Sequence, residues 1–463
     1  MSRRKFAWLL GAAFLGVTVI TALGVEVRAT YGAQTTADEP QYLLSAMSLW
    51  EDGDLDISDE IGDERYRDFH EVLLPAQTEP LPDGRHISPH DPLLPLLLAV
   101  PVGLGGWVGA KLFLAGLGGL LAASMVWVAH RRLGARPSTA LTVVGIFSLA
   151  PPLAIYATQV YPEVAAALAV TAGIAALLGP PRPLSVMVAA AAVVVLPWLA
   201  VKYVPVALVL AVAALRWASG PARKWLLATL AAAGAVYVAA HLALYGGLTA
   251  YATGDHFLGG EFTAVGVEPD WWARSSRLIG LLVDRGFGLA AWQPAFLLVP
   301  LAAAHLMRRR TTASALLVAL LAAGWLSATF LALTMHGWWF PGRQLVVVLP
   351  AAVLLVARWA DGASFRLLFA AGLGVVGVGA FAFLLAQGRA GDLTWVVDFG
   401  STNYPPYRLY SGLLPDYMDP SPATWMRHGA WLAVLIVVMV RQGISHRAPV
   451  WRPKKVERER HAT

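Results

Sequence analysis

Apolar runs long enough to cross a bilayer, roughly 17–25 residues each, recur from one end of this 463-residue chain to the other. No other feature constrains the fold as much. In hydrocarbon every backbone N–H and C=O must be paired inside the protein, and a helix does so within one segment. Twelve candidate spans lie near 6–26, 107–129, 138–156, 162–179, 185–200, 203–217, 224–245, 285–306, 312–334, 341–359, 364–386 and 425–442. Two of them, 185–200 and 203–217, are short and meet across Pro197-Trp198-Leu199-Ala200-Val201-Lys202-Tyr203. They form either two short helices or one helix kinked at the proline. The expected architecture is all-α, a polytopic membrane helix bundle with outer-face juxtamembrane helices.

Charge sets the expected orientation. The chain opens Met-Ser-Arg-Arg-Lys before an apolar run from Phe6 to about Val25. That run exceeds the apolar core of a cleaved signal peptide and lacks a clear small-residue cleavage site. It reads as a retained first helix that starts in the cytoplasm. The segments 1–5, 130–137, 180–184, 216–224, 307–311, 358–366 and the tail from Arg441 hold 22 of the 35 Lys and Arg. They hold only Asp361, Glu457 and Glu459 of the 29 acids. Such segregation follows the positive-inside rule and puts both termini in the cytoplasm. It also accounts for the formal charge of +6 without nucleic acid, because the arginines face the cytoplasmic leaflet. The absence of cysteine excludes disulfides, thiolate metal sites and a cysteine nucleophile.

The expected organisation is a membrane domain over 1–442 and a basic cytoplasmic tail over 443–463. Long outer loops run over about 28–106, 246–284 and 387–424. Within the first, Asp91 to Leu104 is apolar but too short to span. Its Pro-rich start suits a helix N-terminus, lying on or dipping into the outer interface. The Gly-Leu-Gly-Gly run at Gly103–Gly106 marks helix packing or a break.

Acids concentrate just beyond the first span, in Asp38-Glu39-Pro40-Gln41-Tyr42 and Asp52-Gly53-Asp54-Leu55-Asp56. Carboxylates are expensive in a bilayer and mark functional sites when they occur at its edge. Asp38, Glu39, Asp54, Asp56, Asp91 and Glu163 are the acids expected at an outer-face site. The bases expected there are Lys202, Arg285 and Arg343, near outer helix ends, with His86, His90 and His336. Carboxylates facing cations suit transfer from a phosphate-linked donor. One carboxylate takes the proton of an attacking hydroxyl, and Arg or Lys holds the leaving phosphate, Arg with the better fork. Other readings compete. Asp38 and Glu39 could be solvated loop acids or a helix cap. Glu163 after Pro162 could serve the helix dipole, and Lys202 could snorkel. Arg343 beside Trp338 and Trp339 could be a belt anchor. The run Glu51–Glu64 reads as a solvated acidic surface, although Asp52, Asp54 and Asp56 could hold a divalent cation. No histidine spacing is diagnostic of zinc, and no Walker loop or dinucleotide fingerprint is present.

These residues resemble the C-type (GT-C) membrane glycosyltransferases, and within them the protein O-mannosyltransferases and the lipid A aminoarabinose transferase. The matching features are Asp38-Glu39 in the first outer loop, Gly53-Asp54 after it, and His90-Asp91-Pro92-Leu93-Leu94-Pro95. Glu163 in Tyr161-Pro162-Glu163 and the late Gly337-Trp338-Trp339-Phe340-Pro341-Gly342-Arg343 complete the set. One departure is His90-Asp91, where relatives commonly carry Lys or His directly before the prolines. The resemblance covers roughly residues 6 to 360. It implies a polyprenyl-phosphate sugar donor and transfer with inversion to a hydroxyl of a glycan, lipid or protein acceptor. The site would face outward from the plasma (inner) membrane. Asp38, Glu39 and Glu163 would be catalytic, and Arg343, Lys202, Arg285 and His90 would bind the donor phosphate. Tyr42, Asp54, Asp91, His336 and Trp338 would contact substrate. No cofactor is expected, and a divalent cation stays open. Two other functions fit an apolar chain with outer-face acids: a transporter or flippase of lipid-linked sugars, and a polymerase or ligase of lipid-linked glycans. A transporter would place its ionisable groups near the bilayer midplane, in matched halves.

Overall fold

The structure is a computed structural model that describes residues 2–75, 77–253 and 268–444. The predicted basic tail, apart from its first two residues, and part of the predicted loop 246–284 lie outside the described residues. Helices dominate. Among the described residues, β-structure is limited to three isolated bridges, Thr30–Ala33, Ala33–His70 and Asp56–Ile87.

Helix α1 spans Arg3–Ala22 and is capped by the Ser2 hydroxyl, which accepts from Lys5 N at 3.3 Å. The first loop then builds α2 (Glu39–Glu51) and the short α3 (Ser58–Gly62). Helix α4 (Leu93–Arg131) joins the predicted juxtamembrane stretch to the next span. It bends where Gly105 (φ −144°) and Gly106 (φ 58°, ψ −152°) leave helical geometry. Only glycine tolerates the Gly106 conformation, so the Gly-Gly pair is the hinge that lets one apolar run change direction. α1 and α2 both pack along α4.

Helices α5 (Pro137–Ser148), α6 (Leu153–Tyr156) and α7 (Glu163–Leu177) follow. Next come α8 (Pro183–Leu199) and α9 (Val204–Trp217). The region left open by sequence is therefore two helices that pack on each other. Pro197 removes a donor near the end of α8, and Ala200 is extended (φ −168°, ψ 136°). Helix α10 (Gly220–Tyr245) ends at Gly246 in the left-handed conformation.

Beyond the second loop come α11 (Trp271–Ser275), α12 (Arg277–Val283), α13 (Leu289–Trp292), α14 (Leu298–Met307) and α15 (Thr312–Leu326). A 3-10 segment, Arg343–Val348, runs into α16 (Leu349–Ala360). α17 (Ser364–Ala390), α18 (Pro405–Tyr410) and α19 (Pro422–Ile444) complete the described residues. α16 is the bundle axis: every residue of it except Arg358 is buried, and it packs against α5, α14 and α15. Among the described residues, seven helical segments are long and apolar enough to cross a membrane, and four shorter apolar helices accompany them.

Candidate active site

Four charged side chains from four distant segments meet beside the axis helix. Asp38 lies at the start of α2, Glu163 at the start of α7, Lys202 in the break between α8 and α9, and Arg343 just before α16. Each sits where an apolar run begins or ends, so together they occupy one end of the bundle.

Arg343 is the centre. Its Nη2 donates to Asp38 Oδ2 at 2.5 Å, and its Nε donates to Glu163 Oε1 at 3.1 Å. The same Glu163 oxygen accepts from Lys202 Nζ at 2.7 Å. The guanidinium lies 3.9 Å from the centroid of the Tyr161 ring and 5.2 Å from that of Trp339. Arg343 is thus fixed by a fork of acids and by two aromatic faces. Gly342 sets the approach. It has φ +87°, and a Cβ there would come within 2.8 Å of the Leu289 side chain and 3.0 Å of Pro152.

Asp38 is aimed by strained backbone. Ala37 is left-handed, φ 49°, a conformation costing a residue with a Cβ about 1–2 kcal/mol. Pro40 then starts α2 with its missing donor at a harmless position. Successive helical residues point about 100° apart, so Asp38 and Glu39 diverge. Asp38 lines a cavity of about 520 Å³. Glu39 turns inward and is fully buried. Its carboxylate accepts from Val160 N at 2.7 Å and Thr36 N at 3.3 Å. It ties the Asp38 loop to the segment that delivers Tyr161 and Glu163. Burial pushes the Glu39 carboxyl up to about 7, against the pull of Lys111, the two backbone N–H groups and Arg343. Burial also draws the Lys202 ammonium below its ordinary value, with the Glu163 carboxylate opposing that.

Asp38, Tyr42, His90, Asp91, Lys202, Trp338 and Arg343 all line the cavity. His90 stacks on Tyr42, ring centroids 4.6 Å apart, and its Nε2 lies 3.1 Å from Gln77 Oε1. Asp91 ties three elements together: it accepts from Val201 N at 3.0 Å and Tyr237 OH at 3.3 Å, and meets His241 Nε2 at 3.0 Å. Its neighbours give it a structural part as well as a wall of the cavity. Apolar lining comes from Val204, Val206, Ala328, Leu331, Leu333 and Val347.

Five of the residues assigned roles at the site by the resemblance stand apart from the cavity wall. Glu39 and Glu163 are buried behind it and hold its parts in place. Asp54 serves its own loop, accepting from Ser48 Oγ at 3.0 Å and Asp56 N at 2.9 Å. Arg285 pairs with Asp416 at 3.1 Å and donates to Ser411 O, so its charge is committed to the third long loop. His336 lies 3.7 Å from Asp284 and edge-on to Phe287.

The sequence reading passed over Lys111, over Tyr161 under the Arg343 guanidinium, and over Tyr251, which lines the cavity. Lys111 Nζ donates to Gln34 O at 2.7 Å, and its charge bears on Glu39. A lone lysine inside an apolar run carried the signal. Tyr161 and Tyr251 gave none, because a tyrosine near a helix end is equally an interfacial anchor.

No known family profile matches the chain, and no curated protein matches it in sequence. Solved structures do match in fold. ArnT from Cupriavidus metallidurans bound to undecaprenyl phosphate superposes with a TM-score of 0.52 at 16% identity, covering 95% of this chain and 72% of that one. The apo state of the same protein gives 0.52 at 16% identity, over 93% and 70%. The chain is an integral membrane protein that shares its fold with ArnT, the lipid A aminoarabinose transferase, a C-type membrane glycosyltransferase.

Proposed function

We propose that this chain is a glycosyltransferase that moves a sugar from a polyprenyl-phosphate donor to an acceptor hydroxyl. The observation that carries the reading is Asp38 and Arg343 sharing one cavity with Lys202 and an apolar wall. The fold adds support, since ArnT, which shares it, was solved with undecaprenyl phosphate.

Donor phosphate would sit against Arg343 and Lys202, with the isoprenoid chain along the apolar lining. An incoming anion competes with Asp38 for Nη2 of Arg343, while Glu163 keeps hold of Nε. Phosphate binding would thereby release the Asp38 carboxylate towards the acceptor. Asp38 takes the proton of the acceptor hydroxyl as its oxygen bonds to the anomeric carbon. The bond from that carbon to the phosphate oxygen breaks, and its electron pair leaves with the polyprenyl phosphate. Arg343 and Lys202 stabilise that charge. A single displacement inverts the anomeric centre. Glu39 and Glu163 act by positioning.

Orientation is part of the proposal. The charge asymmetry supports cytoplasmic termini and a site facing outward from the plasma (inner) membrane. The cavity sits at helix ends, which suits transfer at one face better than the midplane site of a transporter. The test is a transfer assay on the purified chain with a panel of radiolabelled polyprenyl-phosphate sugars. Label should move to acceptor with wild type and not with Asp38→Asn. Absence of transfer across the panel, with labelled lipid moved between leaflets instead, would replace the reading with a flippase.

A further inference from the structure

A second group of acids lies in the first long loop, apart from the cavity. α2 ends at Glu51, Gly53 turns the chain with φ 81°, and α3 follows at once. The turn brings Asp52, Asp59 and Glu60 together, with one carboxylate oxygen of each within 4.8 Å of the others. Asp52 and Asp59 are exposed. Glu60 is 1% exposed, and neither of its oxygens has a hydrogen-bond partner among the described residues. Its neighbours are already engaged. Asp56 accepts from Ser58 Oγ and His86 N at 2.6 and 2.8 Å. Arg65 spends both terminal nitrogens on Glu51, at 2.8 and 2.9 Å.

A buried carboxylate without a donor is costly, and two more carboxylates beside it add repulsion. Both problems vanish if the trio shares a cation. The set is oxygen-only, with no His or Cys, which disfavours zinc. It lies at an irregular turn with two open ligands, which suits the flexible coordination of Ca²⁺ better than the strict octahedron of Mg²⁺.

We propose that Asp52, Asp59 and Glu60 bind one Ca²⁺ ion, which fastens the C-terminal end of α2 to α3. The ion is structural: the 13 residues of α2 put it about 20 Å from Asp38 at 1.5 Å rise per residue. The trio differs from the Asp52, Asp54 and Asp56 set that sequence spacing offered, because Asp54 and Asp56 are used to close the turn.

The experiment titrates Ca²⁺ alone into the full chain, purified in detergent and stripped with EDTA, by calorimetry and by tryptophan-fluorescence melting. Wild type should bind one ion with Kd about 10⁻⁴–10⁻³ M, the range of extracellular-type sites, and should melt higher with Ca²⁺. Glu60→Gln and Asp59→Asn should each weaken binding about tenfold or more, because each removes a charged ligand. In EDTA, Glu60→Gln should melt at or above wild type, since it removes a buried acid whose oxygens lack hydrogen-bond partners among the described residues; this separates lost binding from misfolding. Asp68→Asn, an exposed acid of the same loop, should titrate like wild type. No saturable Ca²⁺ binding by wild type would overturn the proposal. So would Glu60→Gln binding as tightly as wild type, or Asp68→Asn losing as much. Mg²⁺ displacing Ca²⁺ at equal concentration would overturn the choice of ion.

Discussion

Arg343 holds Asp38 through Nη2 at 2.5 Å while Glu163 holds Arg343 through Nε at 3.1 Å. The two bonds use different nitrogens of one planar fork, so one can break while the other persists. A lysine has a single nitrogen and cannot keep both partners in these directions.

Arg343→Lys should therefore lower transfer about 10²–10³-fold, the usual cost of losing one preorganised donor to developing charge. Arg343→Ala should lower it at least as far. It should also destabilise the protein by about 3–5 kcal/mol, because it leaves Asp38 and Glu163 without their shared cationic partner. Steady-state rates and melting curves for both variants check this. Wild-type turnover in either would remove Arg343 from the mechanism.

Gly342→Ala should act through the same residue. The left-handed φ of +87° penalises a Cβ by about 1–2 kcal/mol, and the contacts with Leu289 and Pro152 add to it. The backbone must shift and carry Arg343 with it. The expected result is a folded protein of lower melting temperature with donor affinity reduced. A structure or assay showing Arg343 and donor binding unmoved would count against the positioning argument.

Glu39 should make stability depend on pH. Its carboxyl is raised to about 7 in the folded chain from an ordinary value of 4.5. Between those values the folded protein holds a proton that the unfolded chain has released. Stability from this group is fully present below about pH 4.5, is lost as pH rises towards 7, and is flat above it. Glu39→Gln should flatten the melting temperature across that window. An unchanged pH slope in the variant would show that other groups set it.

Much of this arrangement was legible because membrane helices place charge only where it is tolerated. Asp38, Glu163, Lys202 and Arg343 each border an apolar run, and the structure brings these four together. What the sequence withheld was partnership. Arg285 borders a run just as Arg343 does, and only the folded third loop, through Asp416, separates their fates. Asp38 and Glu39 are adjacent in sequence, yet helical geometry sends one to the cavity and the other inward. The break between α8 and α9 was equally hidden, because Pro197 permits both a kink and a stop.

Orientation can be read directly, since the chain has no native cysteine. Asp59→Cys and Glu268→Cys place a thiol at exposed positions in two predicted outer loops. Both should react with an impermeant thiol reagent on intact cells. Labelling only after lysis would reverse the proposed topology.

The central claim is that Asp38 is the base, and one variant tests it most directly. Asp38→Asn keeps the size and one acceptor oxygen for Arg343 but removes the basicity. Transfer rate and donor affinity should be measured together on the purified protein, with Asp68→Asn as the control from the same loop. Loss of a general base should slow transfer about 10²–10⁴-fold, with donor binding retained because Arg343 and Lys202 remain. Transfer at the wild-type rate by Asp38→Asn, or an equal loss in Asp68→Asn, would contradict the assignment.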